Sequence, residues 1–242
     1  MTLIFAHRGA SGYCPENTIQ SFKTALDMSA EIESDIRLTK DKELICFHDP
    51  YIICDNKHYI ISELTLSQIK KINFEDKREV PTLKEVFECF NKVKDLKYSF
   101  DIGSKEAAIG IIELAEHYSI VKNIFITDTH LPILKALRNC DPTLKLVHTI
   151  PHGISKLNQN NVPSQKLKEW KINTINIKAN KYYKENFAIA IKNEFKCFFW
   201  GVNTRIRMKN LLRLKIDNHK VDAIYTDYPN KLIEVQEKYE LI

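Results

Sequence analysis

The sequence predicts an α/β fold, a (β/α)₈ TIM barrel with a small insertion after the second strand, on three observations. A length of 242 residues suits one barrel of about 250 residues. Apolar runs of strand length alternate with segments of helical period along nearly the whole chain, the pattern of a parallel sheet joined by crossover helices. Residues able to do chemistry stand at the ends of those runs, where barrels carry their active sites. With no Gly-, Ser- or Pro-rich linker and no internal repeat, a single domain spanning 1–242 is expected, with a cap-like insertion at about 50–82.

Composition narrows the function. A hydrophobic fraction of 44% supplies a large core, and the net charge of +5 comes from scattered lysines. That balance suits anionic small molecules, and the absence of a basic stripe interleaved with aromatics argues against nucleic acid. None of the six cysteines forms a C-x-x-C pair, which points to free thiols in a reducing compartment. The chain opens on the strand-like TLIFAH without a charged and apolar leader, and no apolar run reaches about 18 residues. A cytoplasmic location and no stable membrane insertion are therefore expected.

Strands are predicted near 3–7, 30–36, 43–47, 97–102, 123–127, 144–149, 173–178, 197–202 and 223–226, one more than eight. The run 43–47 follows the polar turn Lys40-Asp41-Lys42, so it is predicted to fold back on the second strand instead of adding a stave. Ile19, Phe22, Ala25 and Leu26 form a helical stripe, with Asn17 or Thr18 as the cap. The insertion is predicted to hold a helix, ELTLSQIKKI, and Pro81-Thr82 to start the helix LKEVFECF. Thr127-Asp128 reads as a helix cap, with substrate contact as the other role open to Asp128. PHGISKLNQNNVPSQK is long and polar for a barrel loop and reads either as a lid over the strand ends or as a loop without function.

The chemistry concentrates between Phe5 and Asp49. Glu33 and Asp35, two apart on a strand, point to one face while Ile32, Ser34 and Ile36 point to the other. Two such oxygen ligands suit Mg²⁺ or Ca²⁺, and without a cation their repulsion raises one pKa. Taken singly, spaced acids are more often a solvated face, and lone histidines more often sit satisfied in cores.

The ordered set HRG at 7–9, PENT at 15–18, E-x-D at 33–35 and HD at 48–49 resembles the glycerophosphodiester phosphodiesterase family. The match extends through KCFFWGVN and the closing TDYP. The resemblance implies a divalent cation on Glu33, Asp35 and Asp101, with His7 and His48 as the general acid–base pair. It implies substrate contacts from Arg8, Glu16 and Trp200, with Glu16 reaching back to hold His7 and Arg8, Asn203 tying down its loop, and Asp227 and Pro229 setting the last turn. The family places Glu and then, two residues on, Lys at the strand end where this chain has Asp101 and Gly103. Lys105 or Lys178 is the expected replacement for the missing charge. Asp49 either orients His48 or serves the turn, since adjacent strand residues face opposite ways.

The implied reaction is hydrolysis of a glycerophosphodiester to an alcohol and glycerol 3-phosphate, with a cyclic phosphate as one route. An Asp in the third ligand position is similar to the sphingomyelinase D branch, which keeps a phospholipase D acting on lysophospholipids as an alternative. The loss of the lysine at 103 keeps a non-catalytic, glycerophosphodiester-binding barrel as another.

Overall fold

A computed structural model describes residues 2–54, 57–158 and 160–240, the last without its side chain. Eight parallel strands close into a barrel: β1 (Leu3–Ala6), β2 (Glu31–Leu38), β3 (Tyr98–Ile102), β4 (Ile124–Asp128), β5 (Lys145–Thr149), β6 (Thr174–Lys178), β7 (Lys196–Trp200) and β8 (Ala223–Thr226). Each pairs with its neighbours in sequence order, and β1 pairs with both β8 and β2 to close the ring. Each crossover carries a helix: α1 (Ile19–Asp27), α2 (Leu83–Phe90), α3 (Lys105–His117), α4 (Leu131–Cys140), α5 (Ser164–Glu169), α6 (Tyr183–Lys192) and α7 (Arg205–Leu212), with α8 (Pro229–Glu240) after β8. Among the described residues no helix is long and apolar enough to cross a membrane.

The ninth run behaves as predicted: Leu44–Cys46 returns antiparallel to β2, with Ile36 opposite Cys46. Two short hairpins were not predicted. Lys215–Ile216 pairs with His219–Lys220, and the linking Asp217-Asn218 has φ of 47° and 68°, the paired left-handed residues that a two-residue hairpin requires. Tyr51–Cys54 pairs with Lys57–Ile60 inside the insertion. The predicted insertion helix is shorter than its pattern: a 3₁₀ turn at Ile61–Glu63, then one turn at Leu66–Ile69 capped by Thr65. Its apolar residues instead join Ile45, Phe47, Ile52 and Val80 in a small separate core.

The predicted loop of 151–166 is anchored. Leu157 and Val162 are buried, and the Leu157 amide donates to Asn186 Oδ1 at 2.8 Å. Its last residues begin α5, and Gln159 lies outside the described residues.

Alternation along each strand divides the core in two. One set of side chains packs outward against the helices, and the other fills the barrel. The barrel floor is aromatic: Phe5 stacks on Tyr225 at 5.1 Å and meets Phe125 edge-on at 5.8 Å, and Phe125 meets Phe198 at 5.7 Å. Tyr225 Oη and Ser99 Oγ lie 2.9 Å apart and mark the level at which apolar filling gives way to polar residues. That floor makes the upper end a closed-bottomed cup. Phe198→Ala is expected to cost about 3–5 kcal/mol in urea unfolding, the range for emptying a buried aromatic site.

Candidate active site

The loop after β1 builds one wall. Arg8 and Gly9 are both left-handed, with φ of 56° and 75°. A Cβ on Gly9 would lie 2.3 Å from Ser21 Oγ, so only glycine allows this turn to rest on α1. The reversed backbone aims the Arg8 amide at Glu33 Oε2, 2.7 Å away. Arg8 Nε stands 3.1 Å from Asp35 Oδ2, and Nη1 donates to Glu16 Oε2 at 2.8 Å.

Thr18, not Asn17, caps α1, its hydroxyl accepting from the Ser21 amide. Asn17 is left-handed, buried and free for another task. Its Nδ2 donates to Asp35 Oδ2 at 3.0 Å, while its Oδ1 accepts from Ser34 Oγ at 2.7 Å.

Glu33 and Asp35 point into the cup as their spacing predicts, and Asp101 stands beside Asp35 in the β2–β3 register. Burial pushes the Glu33 carboxyl up; the His7 charge opposes this and Asp35 adds to it, leaving Glu33 at about 7. Burial first, then the charges of Asp35 and Glu33, hold Asp101 well above the usual carboxylate range. Among the described residues no three His, Cys, Asp or Glu groups are arranged to hold a metal ion as they stand; Glu33 accepts from the Arg8 amide and Asp35 from Asn17.

Each histidine has its own carboxylate. His7 Nδ1 and Asp227 Oδ1 lie 2.8 Å apart, and Asp227 is fixed in turn by the Asn203 side chain, whose Oδ1 accepts from the Asp227 amide at 3.0 Å. Asp227 therefore does more than set the final turn. Burial lowers the His7 pKa, but the Glu33 charge and the Asp227 hydrogen bond outweigh it, and the net shift is upward. His48 Nδ1 lies 2.8 Å from Asp49 Oδ1. The alternation argument against Asp49 does not apply, because both residues lie beyond the end of their strand, in a bend.

His7, Arg8, Glu33, Asp35, His48, Asp101 and Trp200 line one cavity of about 120 Å³ with Thr127, Thr149, His152, Asn176 and Tyr225. A larger cleft of about 590 Å³ beside Leu44 and His117 is lined by no arginine and by a single histidine. Three predicted substrate residues do not line the cavity. Glu16 holds Arg8 and lies 3.7 Å from Arg78. Lys105 is exposed as the first residue of α3. Lys178 stands at the rim, its Nζ 5.0 Å from the Trp200 ring centroid.

Neither lysine fills the space beside Gly103. A Cβ there would lie 2.6 Å from Arg37 Nη1, so Arg37 occupies that volume, and its Nε donates to the His48 carbonyl at 2.9 Å. Arg37 was legible as the next same-face residue after Asp35 on β2. His152, Thr149 and Asn176 carried no motif, and only the closed barrel brings them to the cup.

A barrel whose strand ends gather three carboxylates, an arginine and two carboxylate-held imidazoles defines a phosphodiester hydrolase. The model of the glycerophosphoryl diester phosphodiesterase family matches residues 7–231, and the chain belongs to that family. A glycerophosphodiester phosphodiesterase of Caldanaerobacter subterraneus is 29% identical over 258 residues, covering 98% of each chain. The crystal structure of a glycerophosphodiester phosphodiesterase from Thermotoga maritima superposes with a TM-score of 0.75 at 23% identity, covering 100% of this chain and 99% of that one. An Oleispira antarctica phosphodiesterase in complex with sn-glycerol-3-phosphate superposes with a TM-score of 0.83 at 17% identity, covering 98% and 97%.

Asp227→Asn removes a group that raises the His7 pKa. The His7 titration midpoint, followed by NMR, is therefore expected to fall.

Proposed function

We propose that the protein hydrolyses glycerophosphodiesters to an alcohol and glycerol 3-phosphate, with Mg²⁺ or Ca²⁺ held by Glu33, Asp35 and Asp101. The observation that carries this reading is the convergence of those acids with His7, His48 and Arg8 on one small cavity. The donor set suits a hard divalent ion, because it offers oxygens alone. Two of the carboxyls are pushed up by burial and by like charge, a repulsion that a cation would turn into attraction. When bound, the ion would supply Lewis-acid polarisation of the phosphate.

The chain's own residues do the rest. Arg8, with Nε and Nη1 on Asp35 and Glu16, has Nη2 for a phosphate oxygen. His48, oriented by Asp49, takes the proton of the substrate's glycerol 2-hydroxyl, whose oxygen attacks phosphorus. His7, held at Nδ1 by Asp227, gives its proton to the departing alkoxide as the P–O bond breaks. Water then opens the cyclic phosphate with the two roles exchanged. The lysophospholipid alternative needs an apolar groove leading from Trp200; His152 and Lys178 against that ring favour a water-soluble diester. The thiols of Cys46 and Cys197, buried and free, suit a reducing compartment, and the cytoplasm is the expected location.

Turnover of a panel of glycerophosphodiesters is expected to stop with chelator and return with Mg²⁺ or Ca²⁺, and the returning ion is expected to raise the thermal midpoint. Equal turnover with and without chelator would remove the cation from the mechanism. His7→Ala and His48→Ala are each expected to lower kcat by about 10²- to 10⁴-fold with little change in the thermal midpoint, as measured by steady-state kinetics and calorimetry.

A further inference from the structure

The insertion after β2 meets the site at Arg78. Its Nε donates to Asp76 Oδ2 at 2.7 Å, its Nη2 stands 2.6 Å from the same oxygen, and its amide donates to Asp76 Oδ1 at 3.1 Å. One carboxylate thus clamps both the side chain and the backbone, across the left-handed Lys77 with φ of 56°. The clamp uses Nε and Nη2 and leaves Nη1, which stands 3.7 Å from Glu16 Oε1, a charge contact longer than a hydrogen bond. The guanidinium also lies 6.0 Å from the centroid of the Phe47 ring, on which Phe74 packs at 6.1 Å. Phe47 belongs to the small core of the insertion and directly precedes His48. The Arg78 side chain is only 20% exposed, so its pairing is less open to solvent screening than an ordinary surface ion pair.

Glu16 is therefore shared between two arginines. Its Oε2 accepts from Arg8 Nη1 at 2.8 Å while its Oε1 faces Arg78. The terminal torsion of a glutamate is broad, so a carboxylate held at one oxygen still turns about it. A cation at the other oxygen fixes the carboxylate plane. Arg8 Nε stands 3.1 Å from Asp35, so the direction of its remaining Nη2 follows from where Glu16 holds Nη1.

We infer that Arg78 is a positioning residue for the reaction: through Glu16 it fixes the guanidinium of Arg8, so that the insertion aims the arginine meant for the phosphate. The inference rests on the hydrolase reading above for the role of Arg8. Arg78 itself lies behind Glu16 and does not line the cavity.

The test uses the full chain with divalent cation and glycerophosphodiester substrate. Arg78→Met keeps an unbranched side chain over Phe47 and is expected to raise KM about three- to tenfold, the range for a coupled charge pair. A smaller change in kcat is expected, because Arg8 binds the phosphate before and during reaction. Asp76→Asn separates positioning from charge. It loosens the clamp while making the surroundings more positive, so a role through charge alone would lower KM or leave it, whereas positioning raises it. In a Glu16→Gln background Arg78→Met is expected to add nothing. Arg8 Nε is buried, and hydrogen exchange at that N–H, followed by NMR, is expected to quicken in both variants without any substrate present. Loss of all hydrolysis would thus count against the hydrolase reading alone, and the exchange rate would still decide the role of Arg78. Unchanged exchange in Arg78→Met, a KM at or below the parent value in Asp76→Asn, or additive losses with Glu16→Gln would overturn the inference.

Discussion

Crowding three carboxylates, two of them buried and Asp101 half-buried, at one end of a barrel is the demand that shapes the rest of this site. Glu33, Asp35 and Asp101 occupy adjacent strands above an aromatic floor that excludes water from below, and like charges in that setting repel strongly. Arg8 is the local answer, because its backbone amide meets Glu33 while its guanidinium meets Asp35. Both contacts from one residue require the left-handed turn at Arg8-Gly9, and that turn requires the close packing of Gly9 on Ser21. Asn17 then fixes Asp35 and Glu16 fixes Arg8. The opening motif is thus one electrostatic device whose parts constrain each other.

The two imidazoles show a second constraint. The proposed acid–base pair needs rings with defined tautomers, and each ring here is held at Nδ1 by a carboxylate, leaving Nε2 as the nitrogen for proton exchange. The supports are unequal. Asp227 is partly buried and itself pinned by Asn203, whereas the His48–Asp49 pair is largely exposed. His48 gains its fixity through the backbone, since Arg37 holds its carbonyl. Gly103 makes room for that arginine, so the missing side chain at 103 is better understood as space for Arg37 than as a lost charge.

Much of this was legible along the chain. Strand and helix periods gave nearly every barrel element, the polar turn at 40–42 identified the returning strand, and alternation on β2 put Glu33 and Asp35 on one face. The insertion was less legible, because its few apolar residues serve a small core of their own and its hairpin pairs are short. The two lysines expected near the missing charge do not line the cavity: Lys105 is the exposed first residue of α3, and Lys178 projects at the rim.

By itself, the sequence determined the barrel and the shared face of the acids on β2, because backbone alternation and helical period act between residues a few positions apart. Tertiary structure alone decided which group orients His7, since Asp227 stands 220 residues away in the chain and becomes its neighbour only when β8 closes against β1. The same closure brings Thr149, Asn176 and His152 to face the carboxylates. Their hydrogen-bonding capacity was always present in the chain; its direction is a property of the closed ring, which no spacing between residues encodes.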